Sequence, residues 1–238
     1  MTIYRIGEAS NPGPQFKTRI QTHKKSSIES NTNSGTIKVD FINISHFINL
    51  GETLLARDFD VAFLNEHSLP KHELHNARKV FGNKYRVELS KLDPEKSHNV
   101  GGVGMVQKGI KNIIMPKVKN KNLKIACEEG RVQLFGMCLN KHDVALVYVP
   151  YGYTGGEQNI LARTRTNELC TFILQDMEEQ VEGPKFIMGD LNATTLNLAS
   201  IQDAILEGKI IDIGANSIEY GVPNNSPTCC GNNTEKGN

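Results

Sequence analysis

An α/β domain is what this sequence predicts, on three observations. Short apolar segments of strand length recur from residue 36 onward, one long stretch with helical spacing falls between two of them, and acidic residues stand just past the ends of two strands. At 238 residues the chain is long enough for one large domain with a sizeable core. Residues 1–35 are polar and rich in Ser, Asn, Pro and Gly, so they read as a flexible leader, and the ordered domain is expected over residues 36–238.

The elements follow in order. Residues 36–44 read as the first core strand, and residues 45–55 as an amphipathic helix with Phe47, Leu50, Leu54 and Leu55 turned inward. Residues 60–64, Asp-Val-Ala-Phe-Leu, form a buried strand, followed by a short helix over about 71–81 and a strand over 85–89. The middle of the chain is strand-rich, with segments 102–107, 124–127, 132–139 and 144–148 separated by short polar breaks, a pattern that fits a meander. Over 157–181 the pattern turns helical, with Leu169, Ile173, Met177 and Val181 four residues apart, until Gly183-Pro184 stops it. A strand over 185–188, a helix over 198–206 ended by Gly208, and an extended segment at 210–213 complete the reading.

Lys plus Arg at 27 against Asp plus Glu at 26 leave the chain near neutrality, so no global positive field marks it for nucleic acid. Local patches must carry any such contact. His23-Lys24-Lys25 and the run Lys117, Lys119, Lys121, Lys124 are candidates, the second reading more readily as a solvated loop. Five cysteines without a C-x-x-C pair or a His cluster argue against structural zinc and a disulfide framework; Cys127, Cys138 and Cys170 lie in apolar segments and read as reduced core residues. No apolar run approaches the roughly 18 residues of a membrane span and residues 1–20 lack a signal-type apolar core, so the expectation is an intracellular protein, nuclear or otherwise, without a membrane partner.

The most informative stretch is Gly189-Asp190-Leu191-Asn192-Ala193, at the C-terminal end of the strand 185–188. Side chains at i and i+2 lean to one side of an extended segment, so Asp190 and Asn192 can converge on one small anionic group. Glu66 stands in a like place after the strand 60–64. Taken singly, Asp-x-Asn is common turn chemistry and Glu66 an ordinary surface residue. Together and in this order, the two strand ends suit phosphate chemistry.

Further segments extend the pattern: Asn43 near the end of the first strand, Leu64-Asn65-Glu66-His67, Asn99-Val100-Gly101-Gly102-Val103-Gly104, Tyr148-Val149-Pro150, and Gly189-Asp190-Leu191-Asn192. In this order and spacing they resemble the exonuclease-endonuclease-phosphatase superfamily, the deoxyribonuclease I-like metal-dependent phosphodiesterases, over residues 36–238, and are most similar to its apurinic-type and retrotransposon-type endonucleases. The resemblance implies two stacked mixed β-sheets flanked by helices, a four-layer sandwich. It implies Mg²⁺ or Mn²⁺ held by Glu66 with a carboxamide contact from Asn43, a water oriented or deprotonated by Asp190, phosphate contacts from Asn192, and a phenolic hydrogen bond from Tyr148. Arg163 or Arg165, at the start of the long helix, are candidates to clamp a flanking phosphate, against the ordinary reading of solvated helix-start arginines.

The implied activity is metal-dependent nicking of DNA, with DNA preferred to RNA, by a monomer that is a segment of a retroelement reverse-transcriptase polyprotein. Three departures stand against the family pattern. Ser45 stands two positions after Asn43, where apurinic-type members often carry an acidic residue and retrotransposon-type members vary. Tyr151 occupies a position where Asn is common, and no Asp follows Asp212 and no His follows His142 where the superfamily places a late strand and a terminal Asp-His pair. The last strand is therefore expected to be missing and the chain to be weak or inactive. The rival readings are a phosphomonoesterase acting on a lipid or inositol phosphate, and a non-catalytic nucleic-acid-binding domain of the same fold. A dinucleotide enzyme is excluded, since Gly101-Gly102-Val103-Gly104 lacks G-x-G-x-x-G spacing and opens no helix.

Overall fold

The computed structural model describes residues 18–20, 37–44, 47, 57–81, 84–92, 101–109, 113–139, 143–155, 159–181 and 183–213. They form β1 (Thr18–Ile20), β2 (Ile37–Asn43), β3 (Val61–Asn65), α1 (Leu74–Val80), β4 (Tyr85–Leu89), β5 (Val103–Lys108), β6 (Ile113–Ile114), α2 (Lys121–Glu128), β7 (Val132–Cys138), β8 (Val144–Pro150), α3 (Ile160–Glu179), β9 (Lys185–Ile187), a 3₁₀ turn (Thr195–Asn197) and α4 (Ala199–Leu206). The first sheet has the order β1-β2-β3-β5-β4 and the second β6-β7-β8-β9. Both are mixed: β2 runs parallel to β3 and β8 parallel to β9, while the other pairs are antiparallel.

Three apolar clusters separate four layers. Val39, Phe41 and Phe63 of the first sheet meet Phe135, Val147 and Phe186 of the second between the sheets. Ile42, Ala62 and Leu64 point the other way, onto Leu74, Ala77 and Phe81 at α1. Leu134, Leu146 and Tyr148 face outward from the second sheet onto Leu123 of α2, Ile173 of α3 and Ile201 of α4. Each central strand is thus apolar on both faces, as expected of a sheet covered on both sides, and alternation sends successive residues to different cores.

The expected elements recur with three differences. Residues 124–127 belong to α2, not a strand: the Asn120 side chain caps the Leu123 N–H, and Leu123 and Ala126 lie on the buried face while Ile125 is exposed. The strand-rich middle is no single meander, because β5 lies between β3 and β4 in the first sheet and only β6-β7-β8 pair antiparallel in succession in the second. Within the stretch expected as a flexible leader, Thr18–Ile20 pair antiparallel with Ile37–Val39 and cover an edge of β2. The helix expected over 45–55 lies outside the described residues except Phe47, which is buried against the α1 side, and the tail after 213 lies outside them altogether. Cys170 is buried and its thiol is pushed up to about 12 by that burial, which leaves it an inert packing group. Among the described residues no helix is long and apolar enough to cross a membrane.

Candidate active site

Parallel pairing in both sheets brings strand ends together at one rim. In the first sheet Asn43 stands opposite Asn65 in register, so β2 and β3 end side by side and Glu66 follows at the turn. In the second, Tyr148 is level with Ile187, and an isolated parallel bridge continues the pairing to Tyr151 and Asp190. Two buried side chains then join the sheets. Asn43 Nδ2 donates to Asp190 Oδ2 at 3.0 Å, and Asn65 Nδ2 donates to the Pro150 carbonyl at 2.8 Å.

Asp190 is buried, and its other oxygen, Oδ1, accepts the Asn192 backbone N–H at 2.8 Å. A carboxylate held through both oxygens keeps one orientation and still retains lone pairs for a further partner. Asn192 does not reach the site by strand alternation. The chain leaves the strand at Gly189, Asn192 is left-handed (φ 49°), and its side chain donates to the Gly152 carbonyl at 3.0 Å. Gly152 is required by this approach, since a Cβ there would lie 1.9 Å from the Leu191 carbonyl oxygen.

Glu66 is half-exposed and also left-handed (φ 58°), an uncommon conformation for a residue with a long side chain. Local strain of that kind persists where surrounding structure imposes it. Here the Tyr151 hydroxyl donates to Glu66 Oε1. Burial raises the Tyr151 phenol well above its usual range, followed by the hydrogen bond to Glu66 and the charges of Glu66 and Asp190, while the Asn192 side chain opposes them in part. The phenol is therefore a protonated donor set among Glu66, Asp190 and Asn192. On the far side of Glu66, His67 is fully buried, its Nδ1 accepts the Leu69 N–H at 3.1 Å, and burial lowers its pKa to about 4. Gly102 (φ 84°) lets the chain pass this ring, since a Cβ there would come within 2.3 Å of Nε2.

Of the expected site residues, the structure gathers Asn43, Glu66, Asp190 and Asn192 and leaves out Tyr148. Strand parity turns Tyr148 to the helix side, where its hydroxyl donates to Asp176 Oδ2 at 2.7 Å in the core under α3. Tyr151, three residues on, faces the opposite way and supplies the phenol at the site. Reasoning from the sequence missed it because residues 144–151 are apolar on both faces, and nothing local marks which face meets the other sheet. Arg131 was also missed; a single charge in front of the apolar run of β7 was the available signal, and it proves 2 % exposed beside Tyr151 and Tyr153.

The donors suit a hard divalent cation. Glu66 offers a half-exposed carboxylate, an oxygen donor of the kind taken by an ion that keeps several waters, and the Asn43 carboxamide, its nitrogen turned to Asp190, ends the neighbouring strand. Among the described residues no group of three or more His, Cys, Asp or Glu side chains could hold a metal.

Two stacked mixed sheets with helices outside and strand-end acids at one rim define the exonuclease-endonuclease-phosphatase fold. Three solved structures share it: the catalytic domain of Xenopus laevis APE2 (TM-score 0.52, 17% identity, 66% of this chain and 58% of that one), an AP endonuclease from Archaeoglobus fulgidus (0.54, 13%, 78% and 82%), and the AP endonuclease LMAP from Leishmania major (0.51, 15%, 75% and 62%). The chain thus spans less than two thirds of the Xenopus and Leishmania structures. No protein-family model matches the sequence, and no curated protein does.

Proposed function

We propose that this chain hydrolyses phosphodiester bonds in nucleic acid, DNA in preference to RNA, with a divalent cation at Glu66. The observation that carries the reading is the buried Asn43–Asp190 hydrogen bond, which joins the two sheets where Glu66, Tyr151 and Asn192 converge. Hydrolysis needs charge neutralisation at the non-bridging oxygens, an oriented water and a proton acceptor. When bound, Mg²⁺ or Mn²⁺ supplies the first, held by Glu66 with a contact to the Asn43 carboxamide. Asp190, oriented through both carboxylate oxygens, positions the attacking water and accepts its proton. Asn192, whose amide donates to the Gly152 carbonyl and lies against the Tyr151 phenol, would contact a phosphate oxygen from that position. Tyr151 holds one oxygen of Glu66 in place, leaving the other for the cation. The order and spacing of the motifs, Gly189-Asp190-Leu191-Asn192 above all, support a retroelement-type nicking endonuclease as the particular form.

The test is supercoiled plasmid with Mg²⁺ or Mn²⁺, treated with the wild-type chain and with Glu66→Ala and Asp190→Ala. Open circles from wild type and none from either variant support the reading. Release of inorganic phosphate from an inositol phosphate with the plasmid intact would replace it with a phosphomonoesterase, and DNA binding without turnover would reduce it to a binding domain.

A further inference from the structure

Glu66 belongs to a turn, residues 65–69, in which every residue is fixed by a hydrogen bond. The Asn65 carbonyl accepts from the Ile44 N–H at 3.0 Å, the Glu66 carbonyl from Ser68 Oγ at 3.2 Å and the His67 carbonyl from the Phe47 N–H at 3.3 Å, while the Ser68 N–H donates to the Gly101 carbonyl at 3.0 Å. The Leu69 N–H donates to His67 Nδ1 at 3.1 Å. That last bond runs from a side chain to the backbone two residues on and closes the chain around Ser68. Glu66 and Ser68, on either side of His67, are both left-handed (φ 58° and 53°).

The His67 ring is fully enclosed. Its Nε2 lies beside Gly102 and the Ser90 backbone without a hydrogen bond of good geometry. Gly101, next to Gly102, presses in turn on the Tyr151 ring, since a Cβ there would lie 3.2 Å from Tyr151 Cε1. One pair of glycines thus backs both the ring that follows Glu66 in the chain and the ring that donates to its carboxylate. A buried nitrogen without a full partner is costly, and an apolar side chain of like size would fill the same space without that cost. What histidine supplies there and leucine cannot is the acceptor for the Leu69 N–H. We propose that His67 is a positioning residue for the cation at Glu66: its Nδ1, by closing the turn, sets the backbone conformation from which the Glu66 carboxylate reaches both the Tyr151 hydroxyl and the metal. His67 itself touches neither substrate nor cation, because it is buried and its Nδ1 is turned to Leu69. The proposal rests on the cation reading above.

The experiment is titration calorimetry of the whole chain with Mn²⁺, beside urea unfolding, for wild type, His67→Leu, His67→Asn and Glu66→Ala. His67→Leu removes the acceptor and the costly nitrogen together, so its urea midpoint should lie near wild type while Mn²⁺ binds about tenfold more weakly, the loss typical of a group that orients a metal ligand. His67→Asn keeps an acceptor in the place of Nδ1 but leaves part of the ring's space unfilled. It should unfold more easily than wild type and yet bind Mn²⁺ as tightly. A purely structural histidine would make affinity follow stability in both variants. That order, wild-type affinity in His67→Leu, or a His67→Leu chain that fails to fold would overturn the positioning role and leave the nuclease reading standing; His67→Leu decides alone if His67→Asn does not fold. Absence of Mn²⁺ binding by wild type, or undiminished binding by Glu66→Ala, would overturn the cation site and the positioning role with it.

Discussion

Tyr148 and Tyr151 lie three residues apart, and each hydroxyl donates to a carboxylate, yet the two pairs serve different ends. Asp176, the partner of Tyr148, is buried and also accepts the Lys119 and Asn120 backbone N–H groups at 2.6 and 2.7 Å and the Gln180 amide at 3.0 Å. It is a saturated anchor that fastens the start of α2 to α3 and β8. Glu66, the partner of Tyr151, is half-exposed on a left-handed turn and keeps an oxygen for something else. Burial raises both phenols. What separates structure from chemistry is therefore not the residue pair but how completely the carboxylate is satisfied by the protein.

That comparison can be broken or sharpened. The largest effect is expected on the catalytic side: Asp190→Asn should lower nicking about 100-fold to 1000-fold with a thermal midpoint near wild type, checked by plasmid assay beside calorimetry. A large loss of stability instead would make Asp190 an anchor like Asp176. Asp176→Ala should cost about 3 kcal/mol in denaturant unfolding, because it strands a buried phenol and removes the acceptor of two part-buried backbone N–H groups, and should leave the turnover of the folded fraction intact.

The residue after Glu66 makes a pH prediction. His67 has a folded pKa of about 4 against 6.5 unfolded, so the unfolded chain takes up its proton first as pH falls. Stability from a neutral His67 is complete above pH 6.5 and is lost as pH falls towards 4, by about 3 kcal/mol in all. Urea midpoints across that range should show the loss in wild type and a shallower decline in His67→Gln. The smallest effects come from the two tyrosines. Tyr148→Phe should cost about 1 kcal/mol of stability and leave activity unchanged; Tyr151→Phe should reverse the pattern, weakening Mn²⁺ binding measured by titration calorimetry with little change in unfolding. Identical behaviour of the two variants would erase the distinction.

Much of the scaffold was legible in local pattern. The apolar runs at Val61–Asn65 and Val144–Pro150 and the four-residue spacing through Ile173 and Met177 became strands and a helix near their expected bounds. The failures have physical causes. Residues 124–127 are apolar enough for a strand but too few to show a period, and the Asn120 cap decided for a helix. Tyr148 was favoured over Tyr151 through a motif, while both faces of β8 are covered by apolar groups and hydropathy is silent about which one meets the site.

By itself the sequence determined most of the central strands and the long helix and placed Glu66, Asp190 and Asn192 just past strand ends, because periodicity and turn chemistry act over a few residues. Only the tertiary structure decided that Asn43 and Asp190, 147 positions apart, share a hydrogen bond, that Tyr151 rather than Tyr148 reaches Glu66, and that Arg131 and Arg165 both come close to the Tyr153 ring. Those contacts depend on which sheet each strand joins and which face it turns to the other sheet, and that is set by packing between segments far apart in the chain.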